Sequence, residues 1–112
     1  MRLIPCLLLP TLMLAAESPT FAKDIGPLLT KRCTECHGEK KAKGGLRLDS
    51  LEATLKGGKE GPVVVPGQGL KSELYEVVTK PEGDADIMPP KGKPLTSEQA
   101  ALIRAWIDAG AK

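Results

Sequence analysis

Two cysteines and the single histidine of the chain lie within five consecutive residues, Cys33-Thr34-Glu35-Cys36-His37. Thiols at this spacing cannot join distant parts of a fold through a disulfide. The third cysteine, Cys6, lies far from them in an apolar N-terminal segment. Any stabilisation from Cys33 and Cys36 must therefore come from something that they bind.

The rest of the sequence supplies few large side chains for a core. Beyond residues 1–22 the aromatic residues are Tyr75 and Trp106. A domain of roughly 90 residues with so little aromatic volume commonly depends on disulfides, a metal or a cofactor. The formal net charge is +2, and no basic stripe with interleaved aromatic residues is present. This composition argues against nucleic-acid binding.

The N-terminal segment has the three parts of a secretory signal peptide. One basic residue precedes an apolar run from Leu3 to Ala16, and small residues occupy Thr20 and Ala22. The run is shorter than the ~20 apolar residues that cross a bilayer. We therefore predict a signal peptide at residues 1–22, cleaved after Ala22. A retained membrane anchor is the alternative.

Cleavage would leave one domain, residues 23–112. Cys6 would be lost with the signal, because Pro5 stands where a lipid-modified cysteine requires a small residue. The predicted location is the periplasm or the exterior of a bacterium, with no stable membrane anchor after cleavage.

The domain is predicted to be all-α, with short helices joined by glycine- and proline-rich loops. The last helix, from Thr96 to Ala109, has Gln99 in a capping-box position and ends at Gly110. Residues 81–94 contain four prolines and cannot be helical. Residues Asp24, Ser50 and Ser72 are the predicted caps of the other helices.

Apolar residues repeat at helical spacing within each predicted helix. Val63 to Val65 lie between Pro62 and Pro66, and we predict an extended loop for this segment. The predicted inward positions are Ile25, Leu28, Leu29 and Cys33, then Leu51 and Leu55, then Leu74, Val77 and Val78, and finally Leu102, Ile103, Trp106, Ile107 and Ala109.

The Cys-x-x-Cys-His motif is typical of covalent haem attachment. Two thiols on one turn can add to the two vinyl groups of a porphyrin, and the adjacent histidine can then bind the iron. Three alternatives are weaker. A structural zinc site normally needs four ligands, a redox dithiol normally lies in a βαβ context, and a surface disulfide or inert pair would serve no cofactor.

The axial ligands follow from counting. His37 is the only histidine, and Met88 is the only methionine that remains after Met1 and Met13 are removed. Met88 stands in DIMPPKG, where two prolines stiffen the backbone. We predict that Met88 is the sixth ligand of the haem iron. The alternatives are an open sixth position or ligation by Lys91.

Five segments in order, CTECHG, KGGLRLDS, GPVVVPG, MPPKGKPLT and LIRAWIDAGA, resemble class I c-type cytochromes, in detail the planctomycete-type cytochrome c domains. The resemblance implies an all-α cytochrome c fold around one covalent haem c, with crossed N- and C-terminal helices. It assigns Cys33 and Cys36 to the thioether bonds and His37 and Met88 to the iron. The chain departs from the family pattern at one position. In many members a proline carbonyl accepts the N–H of the histidine ring, but this chain has Asp49 in place of that proline.

Other side chains have smaller predicted roles. Trp106 is expected to pack on the first helix, the alternative being a bond to a haem propionate, and Arg47 either pairs with a propionate or is solvated. Leu46, Leu48 and Val63 to Val65 are candidate haem contacts or ordinary core residues. Lys40, Lys41, Lys43, Lys91 and Lys93 are a candidate basic rim for an acidic partner, the alternative being an ordinary solvated face.

The expected function is that of a soluble, exported, monomeric carrier of electrons that exchanges them with redox partner proteins and is not an enzyme. Two alternatives stay open. One is a haem-based sensor or ligand-binding module with an open or displaceable sixth position. The other is an electron-entry subunit of a periplasmic oxidoreductase.

Overall fold

The computed structural model describes residues 18–112, so the apolar run and Cys6 of the predicted signal peptide lie outside the described residues. The described part is all-α, as predicted, and within it the only β pairing consists of the isolated bridges His37–Ala42 and Gly58–Gly61. Its elements are a π-helical turn Phe21–Ile25, α1 Gly26–Arg32, a 3₁₀ turn Lys43–Gly45, α2 Leu51–Lys56, a 3₁₀ turn Gly69–Lys71, α3 Glu73–Val78 and α4 Ser97–Asp108.

The first helical segment begins earlier than predicted. Thr20 is its N-cap, with Oγ1 accepting from the N–H of Lys23 at 3.3 Å. The predicted cap, Asp24, is wrong: it lies inside the segment, and its carboxylate accepts from the N–H of Thr20 at 3.0 Å. Thr20 and Ala22 thus belong to the folded unit, although cleavage after Ala22 would remove them.

The two short middle helices begin where the sequence predicts. The Ser50 hydroxyl caps α2 by accepting from the N–H of Ala53 at 3.1 Å. Ser72 precedes α3 but makes no side-chain cap. Its buried hydroxyl instead accepts from the N–H of Val65 at 2.9 Å and donates to the carbonyl of Gln68 at 2.9 Å. Ser72 therefore fixes the loop before α3.

Helix α4 is confirmed in detail. Thr96 and Gln99 form both bonds of the capping box. Ile103, Trp106 and Ile107 are fully buried, whereas Ala109, predicted to face inward, is exposed.

Trp106 joins the two ends of the described chain. It lies in the same buried cluster as Ile25 and Leu29. Its indole N–H donates to the backbone carbonyl of Lys112 at 3.1 Å, so in this conformation it is not offered to a propionate. The N–H of Phe21 donates to the same carbonyl at 2.8 Å, and the Phe21 and Trp106 rings lie 6.0 Å apart.

The valine segment is an extended loop, as predicted. Val64 is buried, whereas Val65 is 38% exposed. Leu48 also enters the core. Among residues 18–112, no helix is both long enough and apolar enough to cross a membrane.

Candidate functional site

The cysteine motif follows directly from the end of α1. The N–H of Cys33 closes the helix by donating to the Leu29 carbonyl at 2.7 Å. The Cys33 carbonyl then accepts from the N–H of Cys36 at 3.3 Å and from that of His37 at 3.0 Å. These turns keep Cys33, Cys36 and His37 close together in the segment that directly follows α1.

The imidazole of His37 is oriented by a backbone carbonyl. Its Nδ1 lies 3.3 Å from the Leu46 carbonyl oxygen. A carbonyl can only accept, so this bond requires the proton on Nδ1, and in the neutral ring Nε2 then carries the lone pair. That tautomer is the one that binds a metal through Nε2.

Sequence reasoning missed Leu46 in this role. The family pattern predicts a partner about a dozen residues after the histidine, at the position of Asp49, whereas Leu46 lies nine positions after it. The available signal was the Gly44-Gly45 pair, since both glycines adopt positive φ, 66° and 73°, and turn the chain back toward His37. The N–H of Leu48 then donates to the His37 carbonyl at 2.8 Å.

Met88 lies in the loop after α3. Its N–H donates to the carbonyl of Val77 at 2.9 Å. Its side chain is half-buried against the hydrophobic core, and Cys33 packs against the same core. The structure therefore brings the predicted sixth ligand and the predicted first attachment cysteine to one core, although they lie far apart in the sequence.

A second connection joins these two regions. The guanidinium of Arg32, the last residue of α1, donates to the backbone carbonyl of Lys93. Arg32 directly precedes Cys33, and Lys93 follows Met88 in the same loop.

Two electrostatic effects are resolved near the motif. Burial raises the pKa of the Cys33 thiol, and the charge of Arg32 partly opposes that shift. Farther along, a forked hydrogen bond from Arg47 lowers the pKa of Asp49 and raises that of the guanidinium. Arg47 is thus paired with Asp49, through contacts of 3.0 and 2.6 Å.

The competing interpretations of the motif gain no support. Both Cys33 and Cys36 are free thiols, so they form no surface disulfide. Within the described residues, no three or more His, Cys, Asp and Glu side chains group closely enough to hold a metal ion. Between residue 18 and the motif, no β-strand is present to form a thioredoxin-like junction.

The donor set instead fits a haem c. Two unpaired thiols follow one helix end, and the neighbouring imidazole has Nδ1 engaged and Nε2 available. The thioether of Met88 is the ligand type that pairs with histidine in cytochromes c. The Met88 side chain packs against the same hydrophobic core as Cys33.

Comparison with protein families agrees with this chemistry. The family model described as planctomycete cytochrome C matches residues 33–92, more than half of the chain. The chain belongs to the planctomycete cytochrome c family. The match begins at the first cysteine of this cytochrome c and extends past Met88. No curated protein and no solved structure matches the chain.

Membership explains the scarcity of large core side chains in this cytochrome c. As a cytochrome c-type domain it is a haem-binding electron carrier, and its haem is attached covalently. The porphyrin adds apolar volume that the sequence does not provide.

Proposed function

We propose that this cytochrome c is an exported carrier of single electrons that holds one haem c through Cys33 and Cys36. His37 and Met88 are its axial ligands. The observation that carries the proposal is the bond between Nδ1 of His37 and the Leu46 carbonyl, next to two free thiols. It selects the imidazole tautomer that a haem iron requires.

When bound, haem c supplies an iron that gains and loses one electron. The chain contributes geometry around it. Leu46 holds the imidazole ring, and the half-buried Met88 offers a soft sulfur that favours the reduced iron. Two protein ligands would leave no position for a substrate, which supports a carrier rather than an enzyme.

The proposed partners are redox proteins with acidic docking surfaces, and the proposed state of the carrier is a monomer. Lys40, Lys41 and Lys43 are exposed beside the motif, and Lys91 and Lys93 are exposed beside Met88. Complementary charge of this kind raises the rate of encounter more than it raises affinity. Electron transfer to an acidic partner should therefore slow as salt concentration rises.

The ligand assignment is tested by Met88→Leu, which keeps an apolar side chain but removes the sulfur. The ferric wild-type protein should show the long-wavelength sulfur-to-iron absorption band, and the variant should lack it. Ile87→Leu, at the buried neighbouring position, is the matched control and should retain the band. Survival of the band in Met88→Leu would exclude this ligand.

The same spectra separate the carrier from the sensor alternative. A wild-type protein that is high-spin and binds carbon monoxide without mutation would have an open sixth position. It would then be a ligand-binding module rather than a six-coordinate carrier.

Covalent attachment is tested by intact mass. Cys33→Ser and Cys36→Ser should each keep the haem adduct through the one remaining thioether bond, and the double variant should carry no covalent haem. Thr34→Ser, between them, should keep the full adduct. A covalent haem in the double variant would refute both assignments.

A further inference from the structure

The loop between Met88 and α4 is fixed at both ends. At one end the N–H of Met88 is bonded to the Val77 carbonyl. At the other end Leu95 is buried, and the capping box of Thr96 begins α4.

Between these ends the loop has few means of attachment. Pro89, Pro90 and Pro94 have no backbone N–H to donate. Residues 91–93 are exposed. Across residues 89–95, all within the described part of the chain, the hydrogen bond from Arg32 to the Lys93 carbonyl is the only one to another part of the protein.

That bond reaches across 61 positions of the sequence. Its donor ends α1 immediately before Cys33, so one end is attached to the cysteine motif. Its acceptor is a backbone carbonyl, so the contact restrains the loop itself rather than the Lys93 side chain. A charged donor makes such a bond stronger than a neutral one.

We propose that Arg32 is a positioning residue for Met88. By tying the loop of Met88 to the end of α1, its guanidinium keeps the methionine sulfur from leaving the sixth position. This inference rests on the proposed function, because it presumes that Met88 is an axial ligand.

The test uses imidazole as a competing ligand for the ferric, haem-loaded protein. The measured quantity is the imidazole concentration that removes half of the sulfur-to-iron band. In Arg32→Gln this concentration should fall roughly three- to tenfold, the effect of losing one charge-assisted hydrogen bond at a partly exposed site. Lys31→Gln removes the same charge from the adjacent exposed position and should leave the midpoint unchanged.

Hydrogen exchange gives a second measure that needs no added ligand. The amide of Met88, which is bonded to the Val77 carbonyl, should exchange faster in Arg32→Gln than in Lys31→Gln or the wild type. If Arg32→Gln does not retain haem, Arg32→Lys replaces it. The lysine keeps the charge but lacks the planar guanidinium. The imidazole midpoint and the exchange rate should therefore change in the same directions, but by less.

The two proposals fail in different ways. A wild-type protein without the sulfur-to-iron band would refute ligation by Met88. A normal wild-type band, together with equal imidazole midpoints and equal exchange rates in both variants, would overturn the role of Arg32 and leave the ligation intact.

Discussion

The Leu46 carbonyl lies 3.3 Å from Nδ1 of His37, and two positions later the N–H of Leu48 lies 2.8 Å from the His37 carbonyl. One short segment therefore holds both the ring and the backbone of the histidine. Its position depends on the turn made by Gly44 and Gly45, and in particular on how closely Gly45 approaches Lys59.

Gly45→Ala should displace the Leu46 carbonyl and weaken its bond to His37. Gly45 has φ of 73°, and a Cβ there would lie 2.9 Å from Cγ of Lys59. A weaker bond makes the imidazole a poorer electron donor, which favours the reduced iron. The reduction potential, measured by redox titration, should rise by roughly 20–60 mV if up to one hydrogen bond is lost.

Gly44→Ala is the matched control. Gly44 also has positive φ, 66°, but a Cβ there meets nothing within 4 Å. It should lower the free energy of unfolding by about 1 kcal/mol, through backbone strain, without moving the potential. Equal shifts of potential in both variants would show that the Lys59 contact does not position the carbonyl.

The sequence predicted the local structure well where a short-range rule applied. The capping box of Thr96 and Gln99, the Ser50 cap and the extended valine loop depend on neighbouring residues, and all are confirmed. It also predicted the all-α class and the family, because Cys-x-x-Cys-His is specific.

Contacts that depend on the path of the chain were not predictable in this way. The ring Nδ1–H of His37 can reach any carbonyl that the Gly44-Gly45 turn brings near, and the sequence does not state which one. The bond from Arg32 to Lys93 has the same character, since its acceptor is a backbone atom. Ser72 looked like a helix cap but bonds the preceding loop instead. The assignments of Cys33, Cys36, His37 and Met88 stay predictions.

The Arg47–Asp49 pair predicts a small dependence of stability on acid. The Arg47 hydrogen bond lowers the pKa of Asp49 from its ordinary value of 3.8. A carboxylate with a depressed folded-state pKa stabilises the protein above its unfolded pKa, and this contribution is lost as pH falls through the folded value. The difference in unfolding free energy between the wild type and Arg47→Gln should therefore shrink between about pH 5 and pH 2.

Denaturant unfolding at the two pH values measures this difference. Lys56 lines the same surface cavity as Arg47, and Lys56→Gln removes its charge without removing the partner of Asp49. The effect of this control should not follow the Asp49 titration. NMR should show the Asp49 pKa moving toward its ordinary value in Arg47→Gln. An unchanged pKa would show that the pair does not form in solution.

Ser72→Ala should destabilise the protein by about 1–3 kcal/mol. The Ser72 side chain is fully buried, and its loss leaves the N–H of Val65 without its partner. It also removes one of two bonds to the Gln68 carbonyl, which still accepts from the N–H of Lys71 at 3.2 Å. Thermal unfolding of the haem-loaded protein measures the loss. The exposed Ser97→Ala should change stability by less than about 0.5 kcal/mol, so equal effects would contradict the buried role of Ser72.

The N-terminal contacts predict where the folded unit begins. Thr20 caps the first helical segment, and Phe21 packs on Trp106 and donates to the Lys112 carbonyl. A haem-loaded chain that begins at Lys23 should be less stable than one that begins at Ser18 by about 2–4 kcal/mol, from one lost cap and one partly buried aromatic ring. Phe21→Ala in the longer chain should reproduce most of the loss in thermal unfolding.

If export includes cleavage, intact mass should place the mature N-terminus at or before Thr20, upstream of the cut predicted after Ala22. A mature chain that begins at Lys23 and unfolds at the same temperature as the longer one would show that these contacts contribute nothing, because the core would then be complete without Phe21.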